Sequence, residues 1–227
     1  MLLRIPALLD AATLAHCRAI VEAADWTDGR ATAGSQSAQV KNNLQLREDC
    51  DAARQAQAIV LDALGRNALF FTAALPRQIF PPLFNRYGGQ ANAFGNHIDN
   101  SVRTHRATGR HVRADLSATL FLSSPHEYDG GDLVIEDTWG SQAVKLEAGD
   151  MLLYPSGSLH RVEPVTRGAR LACFTWIQSM VREDERRRVL YDLDTAVMAL
   201  RGLGGDTAET VRLTGCYHNL LRMWADV

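Results

Sequence analysis

The sequence predicts an α+β protein in which an antiparallel β-core lies between two helical regions. Strand-like segments follow one another from residue 115 to residue 178, about 8–12 residues apart with turn residues between them, as in a β-sandwich or barrel. Helical periodicity dominates before residue 65 and returns after Met180. The 227 residues are 46% hydrophobic and 22% charged, which is a globular composition and not that of a disordered chain.

Two helices are predicted in the N-terminal region. Asp10 is suited to cap the first helix, because its side chain can accept a hydrogen bond from a free backbone N–H of the first turn. The second helix begins at Asp49 or Asp51, and Gly65 would end it in the usual C-terminal position. Residues 29–37, between the two helices, are rich in Gly, Ser, Thr and Ala and are predicted to form a loop.

The core strands are predicted from alternating or continuous apolar segments bounded by glycine-containing turns. They are residues 116–122, 133–136, 143–146, 151–154, 159–165 and 170–178. A tight turn at Arg167 and Gly168 would join the last two strands as a hairpin.

The C-terminal region is predicted to contain two helices. Leu190, Leu193, Val197 and Leu200 form one amphipathic stripe, and the glycines of residues 202–205 would end this helix. A last helix is expected over residues 207–224.

Composition excludes several classes of protein. No run of about 18 apolar residues occurs, so a membrane span is not expected. The formal net charge of -2 does not favour a nucleic-acid-binding protein. The four cysteines are far apart and form no CxxC pair, which argues against a zinc ribbon or a disulfide scaffold and favours a cytoplasmic protein with reduced thiols.

A metal site is suggested by two histidines and an aspartate. His97 and Asp99 are two residues apart, so on an extended strand both side chains would lie on one face. His160 begins a later strand, and two imidazoles with one carboxylate form the ligand set of non-haem Fe(II) oxygenases. Chance alone gives roughly 0.8 His-x-Asp/Glu pairs in a chain with 7 histidines and 26 acidic residues, so a structural or surface pair is the alternative.

An arginine near this set points to an anionic ligand. Hairpin pairing would bring Arg170 beside the strand that carries His160, in a mostly apolar segment where an unpaired charge is costly. A dicarboxylate could chelate the metal at one end and bind Arg170 at the other. The alternative is a structural salt bridge from Arg170 to Asp132 or Glu136.

Two further features flank these residues, each with an alternative. Residues 100–114 contain no acidic residue, and they could form a flap that attracts an anionic substrate, or a solvated loop or subunit contact. The basic side chains of this segment are Arg103, His105, Arg106, Arg110, His111 and Arg113. Phe174 and Trp176 share the alternating face of Arg170 and could form a wall of the pocket or belong to the core.

The order and spacing of the motifs carry a resemblance to a known family. The matching segments are 85–89 (NRYGG), 96–100 (NHIDN), 115–123 (DLSATLFLS), 128–133 (YDGGDL), 149–155 (GDMLLYP), 158–162 (SLHRV), 168–170 (GAR) and 174–179 (FTWIQS). With these segments the chain resembles the Fe(II)- and 2-oxoglutarate-dependent dioxygenases of the prolyl-4-hydroxylase-like superfamily, and more closely the bacterial PKHD-type hydroxylases. The similarity covers most of the chain.

The resemblance implies a fold and a division of the chain. The fold is a double-stranded β-helix, or jelly-roll, with flanking N-terminal helices and a small C-terminal helical unit. The implied regions are 1–80 as a helical support of the core, 81–180 as the dioxygenase jelly-roll and 181–227 as a C-terminal helical domain.

The resemblance also implies roles for residues and cofactors. His97, Asp99 and His160 would bind Fe(II), Arg170 would bind the distal carboxylate of 2-oxoglutarate, and Tyr87 would assist co-substrate binding unless it is a packing aromatic. L-ascorbate, as the reductant that restores Fe(II), is implied in the same way. The expected reaction is hydroxylation with release of succinate and CO2, on a small-molecule or peptidyl substrate that the sequence does not identify.

Two other functions stay open at this point. One is a cupin-like jelly-roll metalloenzyme that does not use 2-oxoglutarate and so has no need of Arg170 as a carboxylate anchor. The other is a non-catalytic sensor of iron or 2-oxoglutarate. A homo-oligomer is also considered, because the amphipathic C-terminal helices could pack on the core or on a second subunit.

Overall fold

The computed structural model describes residues 1–32 and 34–227 of the chain. Within this part it contains six α-helices and sixteen β-strands. The helices are α1 Ala11–Glu22, α2 Ser37–Val40, α3 Asp51–Arg66, α4 Ala68–Ala74, α5 Asp184–Gly204 and α6 Ala208–Trp224. The strands are β1 Leu3–Ile5, β2 Trp26–Asp28, β3 Lys41–Asn42, β4 Leu44–Leu46, β5 Pro76–Ile79, β6 Leu83–Gly88, β7 Ala93–His97, β8 Val102–Thr104, β9 His111–Arg113, β10 Leu116–Phe121, β11 Tyr128–Gly130, β12 Leu133–Asp137, β13 Gly140–Val144, β14 Met151–Pro155, β15 Leu159–Val162 and β16 Val165–Ser179.

Two antiparallel sheets form the core. The major sheet has the order β1-β14-β10-β16-β6-β4-β2, with β5 and β11 also paired to β16. The minor sheet has the order β13-β12-β15-β7-β3. Apart from the short β11, the strands from β10 to β16 are divided between the two sheets: β10, β14 and β16 belong to the major sheet, and the neighbouring strands β12 and β13, with β15, belong to the minor sheet.

The predicted hairpin between the last two core strands is wrong. Leu159–Val162 belongs to the minor sheet and Val165–Ser179 to the major sheet, so the chain crosses between sheets at Glu163 and Pro164. Gly168 does adopt a positive φ of 72°, but it lies inside the long last strand, opposite Tyr128. A glycine is required there because a Cβ would come within 2.1 Å of the Glu127 carbonyl oxygen.

The major sheet is buried on both faces. Its outer face, which includes Leu116, Leu120 and Cys173, packs in one cluster with residues of α1, α3 and α4. Its inner face, which includes Phe121, Leu152 and Tyr154, packs on Leu133 and Val162 of the minor sheet. Side chains therefore alternate between a helix-facing core and an interior that lies between the sheets.

The N-terminal helices follow the sequence with one correction. Asp10 caps α1, accepting a hydrogen bond from the Thr13 N–H at 2.8 Å. Gly65 does not end α3, which continues to Arg66. Asn67 ends it instead, because this residue is extended and its side chain caps α4 by accepting from the Phe70 N–H at 2.8 Å. In the predicted loop over residues 29–37, Gly29–Thr32 forms a 3-10 turn and α2 begins at Ser37, while residue 33 lies outside the described residues.

The C-terminal helices have the predicted positions. α5 ends at Gly204 and is followed by Gly205 with a φ of 71°, as the run of glycines predicts. α5 and α6 pack together in a cluster that contains Leu190, Tyr217, Leu75 and Val181. Leu75 directly follows α4, so the helical unit contacts the core.

Candidate metal centre

The three predicted ligands lie together at one end of the minor sheet. His97 ends β7 and is paired in register with His160 on β15, and Asp99 follows two residues later. One ligand atom from each residue lies within 4.8 Å of the others, and the Asp99 Oδ2 atom is 3.7 Å from His160 Nε2. Among the described residues this is the one group of histidine, cysteine and acidic side chains with such spacing. Two imidazoles and one carboxylate are donors that suit divalent iron and leave about three coordination positions open.

Backbone carbonyls fix the orientation of both imidazoles. His97 Nδ1 is 2.8 Å from the Gly95 carbonyl oxygen, and His160 Nδ1 is 2.9 Å from the Ser158 carbonyl oxygen. A carbonyl only accepts, so each Nδ1 carries a proton and Nε2 is the ring nitrogen left to face a metal. Metal-binding histidines are usually oriented in this way, so both Nε2 atoms could serve one ion.

The electrostatic environment keeps His97 neutral. Burial, and then the neighbouring His160 imidazole, lower the pKa of His97 to about 4. The ring also stacks on Phe94 with a centroid distance of 3.6 Å. At pH 7 the imidazole is therefore in the uncharged form that binds metals.

Asp99 is held by a serine that no sequence motif distinguishes. The Ser117 hydroxyl on β10 donates to Asp99 Oδ2 at 2.6 Å and lies 2.8 Å from the Ser156 hydroxyl. Ser117 is 2% exposed on the inner face of the major sheet. A buried serine inside an apolar strand is a sequence signal, but its partner Asp99 comes from the other sheet and could be identified only in three dimensions.

Arg170 and Tyr87 are directly opposite each other on β16 and β6. Both are 1% exposed, and the guanidinium carbon of Arg170 lies 5.4 Å from the Tyr87 ring centre and 5.1 Å from that of Phe121. Burial raises the pKa of Tyr87, so the phenol keeps its proton. Asn85 donates to the Tyr87 hydroxyl oxygen at 3.3 Å.

Glu136 does not form the alternative salt bridge with Arg170, because it pairs with Arg161 on the minor sheet. Within the described residues, no carboxylate lies within 4 Å of Arg170, and its Nε and Nη2 atoms have no hydrogen-bond partner. A buried guanidinium in this state needs an anion. Arg170 approaches the ligand set from the opposing sheet and not from a neighbouring strand of a hairpin.

One pocket between the sheets collects Tyr87, His97, Asp99, His160 and Arg170. Phe174 and Trp176 also line it, so the wall hypothesis is confirmed, although Trp176 packs with core residues as well.

Lys41 on β3 also lines this pocket, a position that the sequence does not predict. It is 6% exposed, and burial together with Arg103 lowers the pKa of Lys41 to about 8. Nothing in its local sequence distinguishes it from a surface lysine.

The basic segment of residues 100–114 is a two-stranded hairpin and not a loop, with Val102 opposite Arg113. Arg103 lines the pocket and its guanidinium carbon lies 4.1 Å from the Trp176 ring centre. Arg113 binds Asp115 at 2.7 Å, and Arg110 is exposed beside Gln78. Arg103 is the arginine of this hairpin that reaches the site.

Comparison with known proteins identifies the family. Residues 82–178 match the family model of the 2OG-Fe(II) oxygenase superfamily, and residues 184–226 match that of the PKHD-type hydroxylase C-terminal domain. A PKHD-type hydroxylase of Rhizorhabdus wittichii is 58% identical over 227 residues, which is 100% of both chains. The chain belongs to the PKHD-type hydroxylases. The predicted activity class, a 2-oxoglutarate-dependent iron dioxygenase, is confirmed at the level of this family.

Solved structures share the fold of this PKHD-type hydroxylase. A prolyl-4-hydroxylase from Pseudomonas putida is 20% identical, covers 78% of this chain and 92% of its own, and superposes with a TM-score of 0.52. A prolyl hydroxylase from Trichoplax adhaerens, solved with a hypoxia inducible factor peptide fragment, is 16% identical, covers 83% and 86%, and has a TM-score of 0.54. The jelly-roll prediction is thereby confirmed. None of the helices in the described residues is long and apolar enough to span a membrane.

Proposed function

We propose that His97, Asp99 and His160 hold Fe(II) and that Arg170, assisted by Tyr87, binds the distal carboxylate of 2-oxoglutarate. The observation that carries this proposal is the buried Arg170 guanidinium, whose Nε and Nη2 atoms have no partner among the described residues and which lines the same pocket as the ligand set. A cupin-like reaction without 2-oxoglutarate would supply no carboxylate to bind the buried Arg170 guanidinium. The geometry therefore favours the 2-oxoglutarate enzyme over that alternative.

The chain's own residues position the reactants. The Nδ1 hydrogen bonds of His97 and His160 and the Ser117 hydrogen bond to Asp99 fix the ligand atoms before anything binds. Arg170 and the Tyr87 hydroxyl set the direction of the co-substrate. The bound iron and co-substrate supply the oxidising power for hydroxylation, with succinate and CO2 as the other products.

The substrate is proposed to be a small molecule or a peptidyl group, and the pocket favours one that carries negative charge. Among the described residues, Arg103 and Lys41 are the lysine and arginine side chains that line the pocket besides Arg170; Lys41 is buried and Arg103 is partly buried. The basic hairpin contributes through Arg103, and its other arginines lie outside the pocket lining.

Binding and turnover test this function separately. Anaerobic addition of Fe(II) and 2-oxoglutarate should produce a visible charge-transfer band, and oxygen should then release succinate. His97→Ala and Asp99→Ala should lose both signals. Arg170→Met should weaken 2-oxoglutarate binding by about 10–100-fold, since a charge-assisted bidentate contact is lost.

Arg161→Met is the matched control. Arg161 is next to His160 but pairs with Glu136 and Glu163 and does not line the pocket, so this variant should keep both signals. Full succinate release by His97→Ala would contradict the ligand assignment. A charge-transfer band without succinate release would favour a sensor.

Three further points are part of the proposal. L-ascorbate is proposed as the reductant that maintains Fe(II), and it should increase the number of turnovers before inactivation.

A cytoplasmic location is proposed because all four cysteines are free thiols. A homo-oligomer is proposed because α5 and α6 leave Leu203 and Met223 88% and 74% exposed, and sedimentation would test it.

A further inference from the structure

Two cations enter the pocket from elements that supply no metal ligand. Lys41 lies on β3 at the edge of the minor sheet, where it is paired in register with Phe94 of β7. Arg103 lies on β8 of the basic hairpin. Both line the pocket that contains His97 and Asp99.

Aromatic rings connect the two cations to the ligand set. The Lys41 ammonium is 5.4 Å from the Phe94 ring centre and 5.9 Å from that of Phe174. Phe94 stacks on His97, and Phe174 contacts Trp176 with a centroid distance of 5.5 Å. The guanidinium carbon of Arg103 lies 4.1 Å from the Trp176 ring centre. The two cations and these three rings are therefore linked in one series of contacts that begins at His97.

Placing two like charges close together in a buried pocket is unfavourable. Burial is the main cause that lowers the pKa of Lys41, and the Arg103 charge is the next. Burial also lowers the pKa of Arg103. The charges of Asp99 and Glu48 act in the opposite direction on both, and that of Asp28 does so on Lys41, but the largest of these effects comes from Asp99, whose carboxylate is a proposed metal ligand. An additional anion between the two cations would offset their repulsion and their desolvation.

We propose that Lys41 and Arg103 together bind the carboxylate of a small-molecule substrate whose apolar part lies on Phe94 and Phe174. This inference rests on the proposed function, and it assigns to the substrate a charge site distinct from that of Arg170, which takes the co-substrate. A small molecule is favoured over a peptide because Lys41 is 6% exposed and thus lies deep in the pocket. The substrate carboxylate would hold the reacting C–H bond at a fixed distance from the ligand set.

A pair of fluorinated probes tests the charge site. 4-Fluorophenylacetate and its uncharged isostere 4-fluorophenylacetamide would be titrated into the full chain loaded with Zn(II) and saturating 2-oxoglutarate, with binding followed by fluorine NMR. The acetate should bind at least about tenfold more tightly than the amide, because it gains charge-assisted hydrogen bonds. Lys41→Gln and Arg103→Gln should each reduce most of this preference, and Lys41→Arg should retain it.

Two control variants make the outcome specific. Arg110→Gln removes an exposed charge of the same hairpin and should leave the preference unchanged. Arg170→Met removes the proposed co-substrate anchor, and 2-oxoglutarate titrated into this variant should bind about 10–100-fold more weakly, so failure of the proposed function would be seen separately. Circular dichroism would verify that each variant is folded.

Several results would overturn the inference. These are equal binding of the two probes to the unmodified chain, no saturable binding of either probe, or an unchanged preference in both Lys41→Gln and Arg103→Gln. Loss of the preference in Arg170→Met alone would show that the probe occupies the co-substrate position.

Discussion

At the residue scale, the candidate ligands depend on groups that do not touch the metal. The Ser117 hydroxyl donates to Asp99 Oδ2 at 2.6 Å from the opposing sheet and so sets the carboxylate's direction. We predict that Ser117→Ala lowers the affinity for Fe(II) or Zn(II) by about 10–100-fold, the range found for such supporting partners. Isothermal titration of the metal-free chain would measure it.

Ser158→Ala is the matched control for this prediction. Its backbone carbonyl accepts from His160 Nδ1 at 2.9 Å, and the substitution leaves that carbonyl in place. We therefore expect an affinity close to that of the unmodified chain. Equal affinities in both variants would show that Asp99 does not need the Ser117 hydroxyl.

The sequence locates the candidate ligands but not their support. His97 and Asp99 follow from the two-residue repeat of a strand, and Arg170 follows from a charge in an apolar segment. The structure brings all three into one pocket with His160 and Tyr87. Ser117 and Lys41 come from other parts of the chain, and their roles depend on contacts between sheets that local sequence does not encode.

At the element scale, consecutive core strands that go to different sheets explain the wrong hairpin. A two-residue turn joins neighbours within one sheet, whereas here β15 and β16 face each other across the interior. Because β16 is buried on both faces, its pattern also lacks the simple alternation of a half-buried strand. The short strands β1 to β4, of two or three residues each, carry too little pattern to be predicted from sequence.

A substitution at Gly168 tests the role of this glycine within β16. Its φ of 72° is unfavourable for other residues, and a Cβ would meet the Glu127 carbonyl oxygen at 2.1 Å. We predict that Gly168→Ala lowers the free energy of unfolding by about 2–4 kcal/mol, from backbone strain and steric overlap together. Urea denaturation would measure the change.

Gly157→Ala provides the comparison within the same half of the chain. Gly157 has no positive φ, and an added Cβ would meet no atom within 4 Å. This variant should change the free energy of unfolding by less than about 0.5 kcal/mol. A similar loss in both variants would mean that Gly168 is not specifically constrained.

At the scale of the whole molecule, the two faces of the major sheet have different roles, one in core packing and one in the candidate site. Its outer face packs on α1, α3 and α4 in the largest apolar cluster, while its inner face supplies Ser117, Tyr87 and Arg170 to the pocket. Residues of the site are thus held on strands whose other face is fully packed. Such support favours a preorganised site.

In this organisation the Lys41 ammonium is buried, which lowers the free energy of unfolding. The pKa of Lys41 is about 8 in the folded chain, compared with about 10.4 in an unfolded one. Below pH 8 both states hold the proton, and the folded state carries the full cost of burying the charge. Between about pH 8 and 10.4 the unfolded state holds more protons, so stability rises with pH in this window.

We therefore predict that Lys41→Met is more stable than the unmodified chain at pH 7, by up to about 3 kcal/mol before the loss of the Lys41 hydrogen bond to Gln45 is subtracted. The difference in stability between the variant and the unmodified chain should be smaller at pH 9.5, because Lys41 is then largely deprotonated in the folded chain and no charge is buried. Urea denaturation at both pH values would measure it. The lowered pKa of Lys41 would be contradicted if Lys41→Met were less stable than the unmodified chain by the same free energy of unfolding at both pH values. A gain in stability, together with loss of carboxylate binding, would indicate that the charge is kept for the substrate, since functional groups are often retained at a cost in stability.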